Sequence, residues 1–202
     1  MRIIGVTGPS GAGKGAVSGY MMATHGFKVI DADKVYHDII SAPTECVREL
    51  ADNFGSGILC ENGSIDRKAL SKLVFGEENK EKLLLLNKIT HKYVISEINK
   101  LLSNYADLGV EVCVIDAPLL IEAGIDKNCD LVFAVTADRE TRATRIATRD
   151  GIDYESAVLR INSQKPDSFY SDACDFLLIN DMQLNELGLL VDKYLKCEGL
   201  IE

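Results

Sequence analysis

The sequence predicts an α/β fold, with a parallel sheet of about five strands sandwiched between helices. Two observations carry that prediction. Short apolar runs recur along the chain and alternate with segments of helical periodicity. The runs are unbroken rather than alternating, as in strands covered on both faces, which is the habit of parallel sheets. A third observation locates the ligand. The first run opens into a glycine-rich loop and then a helix, and ligands of such sheets sit beyond the carboxyl ends of the strands.

The elements follow in order. Arg2–Thr7 is rich in β-branched residues and reads as a buried strand. Gly13–His25 carries Val17, Tyr20 and Met21 at i, i+3 and i+4, the apolar stripe of a helix, and Gly26 is placed as its C-terminal stop. Phe27–Ile30 is a second strand running into Asp31-Ala32-Asp33. Residues 34–108 read as mostly helical, with turns at Ser41–Thr44 and Gly55–Gly63. Val112–Ile115 and Leu131–Val135 are further apolar strands. Arg139–Arg149 and Tyr154–Gln164 are helices, Phe176–Ile179 is a short strand and Gln183–Cys197 a closing helix.

Composition excludes several function classes. A length of 202 residues with 47 % hydrophobic content suits one ordinary domain with a full core. No apolar run reaches the roughly 18–20 residues of a membrane span. Met1-Arg2-Ile3-Ile4-Gly5 does not read as a signal peptide. A net charge of −9 argues against a general nucleic-acid binder. It leaves room for a phosphorylated small molecule, which needs only a local positive site. Cys46, Cys60, Cys113, Cys129, Cys174 and Cys197 match no zinc spacing and are expected to be reduced, mostly buried thiols of a cytoplasmic protein. His25, His37 and His91 are too scattered to suggest a metal.

Chemistry begins after the first strand. Gly8-Pro9-Ser10-Gly11-Ala12-Gly13-Lys14 satisfies Gly-x-x-x-x-Gly-Lys in the strand–loop–helix context of a phosphate-binding loop. Glycines let backbone N–H groups turn inward around a phosphate, the helix N-terminus adds its dipole and Lys14 adds a full charge. The fold is therefore of the P-loop NTPase type. The residue after the lysine ordinarily bears a hydroxyl that binds Mg²⁺. Here Gly15 and then Ala16 follow, and Ser18, about one turn on, is expected to point elsewhere. Either Mg²⁺ is held through waters and carboxylates, or the protein is a weakened relative that still binds nucleotide.

Carboxylates stand at two further strand ends. Residues two apart on a strand share a face, so Asp31 and Asp33 both reach toward the loop if the strand extends that far. The alternative for Asp33 is a cap on the helix from Lys34. Asp116 resembles a Walker-B carboxylate holding the Mg²⁺ shell, the alternative being a turn before Pro118. Arg139, Arg142, Arg145 and Arg149 span a sector of about 120° on one helix. They read as a lid that clamps ATP phosphates; the alternative is a solvated face.

These pieces in this order resemble dephospho-coenzyme A kinases. The resemblance rests on the phosphate loop, Val29-Ile30-Asp31-Ala32-Asp33, Phe54-Gly55, Asn62-Gly63 with Asp66-Arg67, Val74-Phe75 and His91. It continues through Pro118-Leu119-Leu120-Ile121-Glu122, Arg149-Asp150-Gly151, Arg160-Ile161, Gln164 and Asn180, nearly the whole chain. It implies ATP-dependent phosphorylation of the ribose 3′-hydroxyl of dephospho-coenzyme A, with ATP and Mg²⁺ required. It makes residues 1–34, 110–138 and 172–202 the core, 35–109 a helical substrate-binding region and 139–171 the lid. It assigns Asp33, Lys14 and Arg145 to catalysis. It implies that Gly8, Gly11, Ala12, Gly13, Lys14, Gly15, Ala16, Arg145 and Arg149 bind the nucleotide and that Asp33, His91, Leu119 and Leu120 bind the acceptor, while Asp116, as a Walker-B-like carboxylate, is expected to hold Mg²⁺ through water. On the residues alone, His91 could simply pack helices and Leu119 and Leu120 could be core. Gly13-Lys14-Gly15 also resembles the loop of nucleoside monophosphate kinases, the alternative activity.

Overall fold

A computed structural model describes residues 1–181 and 184–202. The chain divides into two compact units, Met1–Asp31 with Tyr105–Glu202, and Ala32–Asn104.

The first unit holds a five-stranded sheet in the order β2-β3-β1-β4-β5, every neighbouring pair parallel. The strands are β1 (Arg2–Thr7), β2 (Lys28–Asp31), β3 (Val112–Asp116), β4 (Leu131–Thr136) and β5 (Phe176–Ile179). Helix α1 (Lys14–His25) follows β1 and ends at Gly26, whose φ of 70° is the left-handed stop expected there. Alternate residues of a strand share a face. Ile4 and Val6, Val112 and Val114, and Phe133 and Val135 accordingly meet Val17 and Met21 of α1 and the closing helix in one apolar core. The closing helix spans Leu184–Cys197; Gln183, where the sequence places its start, lies outside the described residues.

The second unit is helical: α2 (Ala32–Ile40), α3 (Glu45–Phe54), α4 (Arg67–Val74) and most of α5 (Lys80–Asp107). Thr44 caps α3, and the Asp66 carboxylate accepts from the backbone of Lys68 and Ala69 at the start of α4. Ile40, Leu50, Ile58, Val74 and Ile89 form its own core. Among the described residues no helix is long and apolar enough to cross a membrane.

One expectation about the strand ends is corrected. Strand β2 stops at Asp31, and Asp33 lies in the first turn of α2. The period-two argument thus fails for the pair Asp31 and Asp33, because the chain turns helical between them. The structure also adds a helix, Asp167–Ser171, too short to show periodicity in the sequence. It precedes β5 and makes Leu184–Cys197 the ninth α-helix among the described residues, so α6 (Arg139–Asp150), α7 (Tyr154–Asn162), α8 (Asp167–Ser171) and α9 (Leu184–Cys197) follow in order.

All six cysteines are free thiols. Cys46 and Cys113 are buried, Cys129 and Cys174 half-buried, and Cys60 and Cys197 exposed. Burial pushes the Cys129 thiol up to about 12 and those of Cys46 and Cys113 to about 11. These three are protonated at neutral pH and poor nucleophiles.

Candidate active site

The loop after β1 is glycine-built for reasons visible atom by atom. Gly8, Gly11 and Gly13 take φ of 140°, 80° and 94°, values that favour glycine. A Cβ on Gly8 would lie 2.0 Å from the Val135 carbonyl oxygen, and one on Gly13 would lie 2.1 Å from Asn180 Nδ2. The loop is therefore held close to β4 and to the end of β5. Gly15 differs. It has no strained φ, and a Cβ there meets nothing within 4 Å.

Lys14 opens α1 and its ammonium donates to Gly8 O at 3.0 Å and more weakly to Pro9 O at 3.4 Å. The charge is thus folded over the loop in which an anion would sit. Three successive peptides of the loop are braced from outside. Asn180 Nδ2 donates to Ala12 O at 2.8 Å. Arg145 donates to Gly11 O and Ala12 O, both at 3.3 Å, and to Asn180 O at 3.0 Å. Arg142 donates to Ser10 O at 3.1 Å.

The arginines of α6 do not form one uniform stripe. Arg142 is 5 % exposed, ion-paired with Asp167 at 3.1 Å and bonded to Gln164. Burial lowers its pKa, although the guanidinium stays charged. Its groups are spent on protein partners, so the expectation that it clamps phosphates is corrected: it anchors the loop to the segment after α7. Ile146, in the same sector, is fully buried. Arg139 bonds Asn162 of α7. Arg149 is exposed, bonded to its neighbour Asp150 and, at 3.3 Å, to the Ser10 hydroxyl. Arg149 and Arg160 together hold Asp150 below the usual carboxylate range.

Asp116 ends β3. It stands beside Val6 of β1 and beside Asp31 of β2 in the parallel register, so two carboxylates end neighbouring strands. Ser18 Oγ donates to Asp116 Oδ2 at 2.6 Å. The expectation that Ser18 points elsewhere is therefore wrong. Residues four apart on a helix stack on one face, so Ser18 follows Lys14 round to the strand ends. That i+4 spacing was the available signal. The oxygen donors here suit a hard cation such as Mg²⁺, which keeps several waters and needs few protein ligands.

The remaining expected residues differ in burial. Leu120 is fully buried, and a Cβ on Gly5 would come within 2.6 Å of its Cδ2. Its side chain is core, not a substrate contact. Leu119 beside it is exposed. His91 lies on α5 in the helical unit, half-buried, and burial lowers its pKa. Asp33 is exposed in the first turn of α2. Gln164 and Asp167, which complete the Arg142 anchor, are polar residues whose pairing no local pattern announces.

A family model described as dephospho-CoA kinase matches residues 2–186. A dephospho-CoA kinase of Fusobacterium nucleatum is 42 % identical over 200 residues, covering 99 % of both chains. A solved structure of a Thermus thermophilus protein superposes with a TM-score of 0.79 at 27 % identity, covering 96 % of each chain. The dephospho-CoA kinase of Campylobacter jejuni does so with a TM-score of 0.69 at 26 % identity, covering 97 % of this chain and 96 % of that one.

Proposed function

The chain belongs to the dephospho-CoA kinase family, and we propose that it transfers the terminal phosphoryl group of ATP to the ribose 3′-hydroxyl of dephospho-coenzyme A. The observation that carries this reading is the loop itself. Gly8, Gly11 and Gly13 hold conformations that leave no room for side chains, with Lys14 folded across them. Such a cradle serves a bound polyphosphate, and the family supplies the acceptor.

Phosphoryl transfer is mainly positioning and charge stabilisation. The loop amides and Lys14 hold the phosphates and offset charge on the transferring group. Arg145 braces the loop through Gly11 and Ala12, and Arg149 reaches Ser10 at its rim. The Asp33 carboxylate accepts the proton of the 3′-hydroxyl as the new O–P bond forms and the bond to the ADP oxygen breaks. His91 and Leu119 contact the acceptor. Asp116 and Asp31 would hold Mg²⁺ through water, and the ion would supply neutralising charge at the phosphates. The protein works in the cytoplasm as a small-molecule enzyme.

Gly15 and Ala16 favour a second reading, a weakened relative that binds ATP without turnover. An acceptor panel separates the readings. ADP release with dephospho-coenzyme A, and not with AMP or CMP, supports the kinase. ATP binding with no release for any acceptor supports the second reading.

A further inference from the structure

The missing hydroxyl after Lys14 has a counterpart elsewhere on the same helix. Ser18 is 4 % exposed, and its hydroxyl lies 2.6 Å from Asp116 Oδ2 and 3.3 Å from Lys14 O. A hydroxyl carries one proton, and the shorter contact with a charged acceptor takes it. Asp116 sits at the end of β3 between the ends of β1 and β2, where Val6 and Asp31 are its register partners. The Ser18 proton fixes one oxygen and so fixes the plane of the other.

We propose that Ser18 is a positioning residue: from one turn along α1 beyond Gly15 and Ala16, its hydroxyl orients Asp116 toward the metal of the nucleotide complex. This rests on the kinase reading of the loop. Ser18 itself does not ligate the metal: its proton is given to the carboxylate. Groups that orient metal-binding carboxylates by hydrogen bonds change metal affinity by about 10–100-fold when removed.

The test uses Ser18→Ala in the full chain, with Mn²⁺ as a paramagnetic probe of the metal site. Calorimetry measures ATP affinity without metal, and electron paramagnetic resonance measures Mn²⁺ affinity in the ATP complex. The expected result is a roughly 10-fold weaker Mn²⁺ affinity, with metal-free ATP affinity within about twofold of the parent. A cooperative unfolding transition confirms that the variant is folded. Gly15→Ser added to Ser18→Ala is expected to recover part of the lost Mn²⁺ affinity, because it restores a hydroxyl after Lys14 at a position where a Cβ meets nothing outside its own helix within 4 Å. Unchanged Mn²⁺ affinity in Ser18→Ala overturns the proposal. So does an equal loss of metal-free ATP affinity, which would make Ser18 a mere packing residue of the loop. If the parent protein binds no ATP, the kinase reading itself fails; if it binds ATP and Ser18→Ala leaves Mn²⁺ affinity alone, only the role of Ser18 fails.

Discussion

Arg142 Nη2 donates to Gln164 Oε1 at 2.7 Å, and the same oxygen accepts the Ser10 amide at 3.2 Å. One amide oxygen thus joins helix α6, the segment after α7 and the outer limb of the phosphate loop. Arg142 reaches the loop a second time through Ser10 O. Gln164→Leu removes the shared acceptor and leaves a buried guanidinium short of a partner, a loss of about 1–3 kcal/mol. Chemical unfolding should show that destabilisation, and calorimetry should show weaker ATP binding because the loop is no longer held. Parent-like values for both would mean that the anchor does not act on the loop.

Gly15→Ser is a substitution that the backbone accepts. Position 15 has ordinary helical geometry and open space around its Cβ, whereas Gly8 and Gly13 have neither. Serine is preferred to glycine in a helix by a few tenths of a kcal/mol, about 0.5 at most. The variant should fold at least as well as the parent and should need less Mg²⁺ for half-maximal ADP release. An unchanged Mg²⁺ requirement would show that water and carboxylates already serve the ion fully.

His91 gives the helical unit a pH dependence. Burial holds its pKa below 6.5 in the folded protein. The unfolded chain therefore binds the proton first as pH falls. The stability associated with neutral His91 is complete above 6.5 and is lost as pH drops toward the folded value. Urea unfolding at pH 7.5 and 5.5 should show a smaller acid loss for His91→Gln than for the parent. Equal losses would remove His91 from the effect.

Much of this was readable from residue order. The apolar runs located five strands, and Gly26 marked the end of α1 because glycine readily takes the left-handed conformation found there. The phosphate loop was legible because its glycines are required by backbone contacts rather than by chance. Other features depend on three-dimensional neighbours. Arg142 and Arg145 differ by one turn, yet one is buried against Asp167 and the other brackets the loop. Helical periodicity cannot distinguish them, since both fall in one sector. Leu120 reads like Leu119 in sequence, yet its side chain is fully buried in the space that a Cβ on Gly5 would take, while Leu119 is exposed. Ser18 turns to the strand ends because i+4 stacking on α1 carries its face from Lys14 on to Asp116, a partner 98 residues away that no local pattern names.

Phosphoryl transfer from ATP to the 3′-hydroxyl of dephospho-coenzyme A, with Lys14 stabilising charge and Asp33 taking the proton, leaves two products that can be counted. Phosphorus NMR of the product mixture follows both substrates at once. ADP and a 3′-phosphomonoester of the acceptor are expected in equal amounts. Lys14→Ala should lose at least about 100-fold in rate, and Asp33→Asn a comparable amount. A parent rate no higher than that of Asp33→Asn, or a product phosphorylated elsewhere, would contradict it.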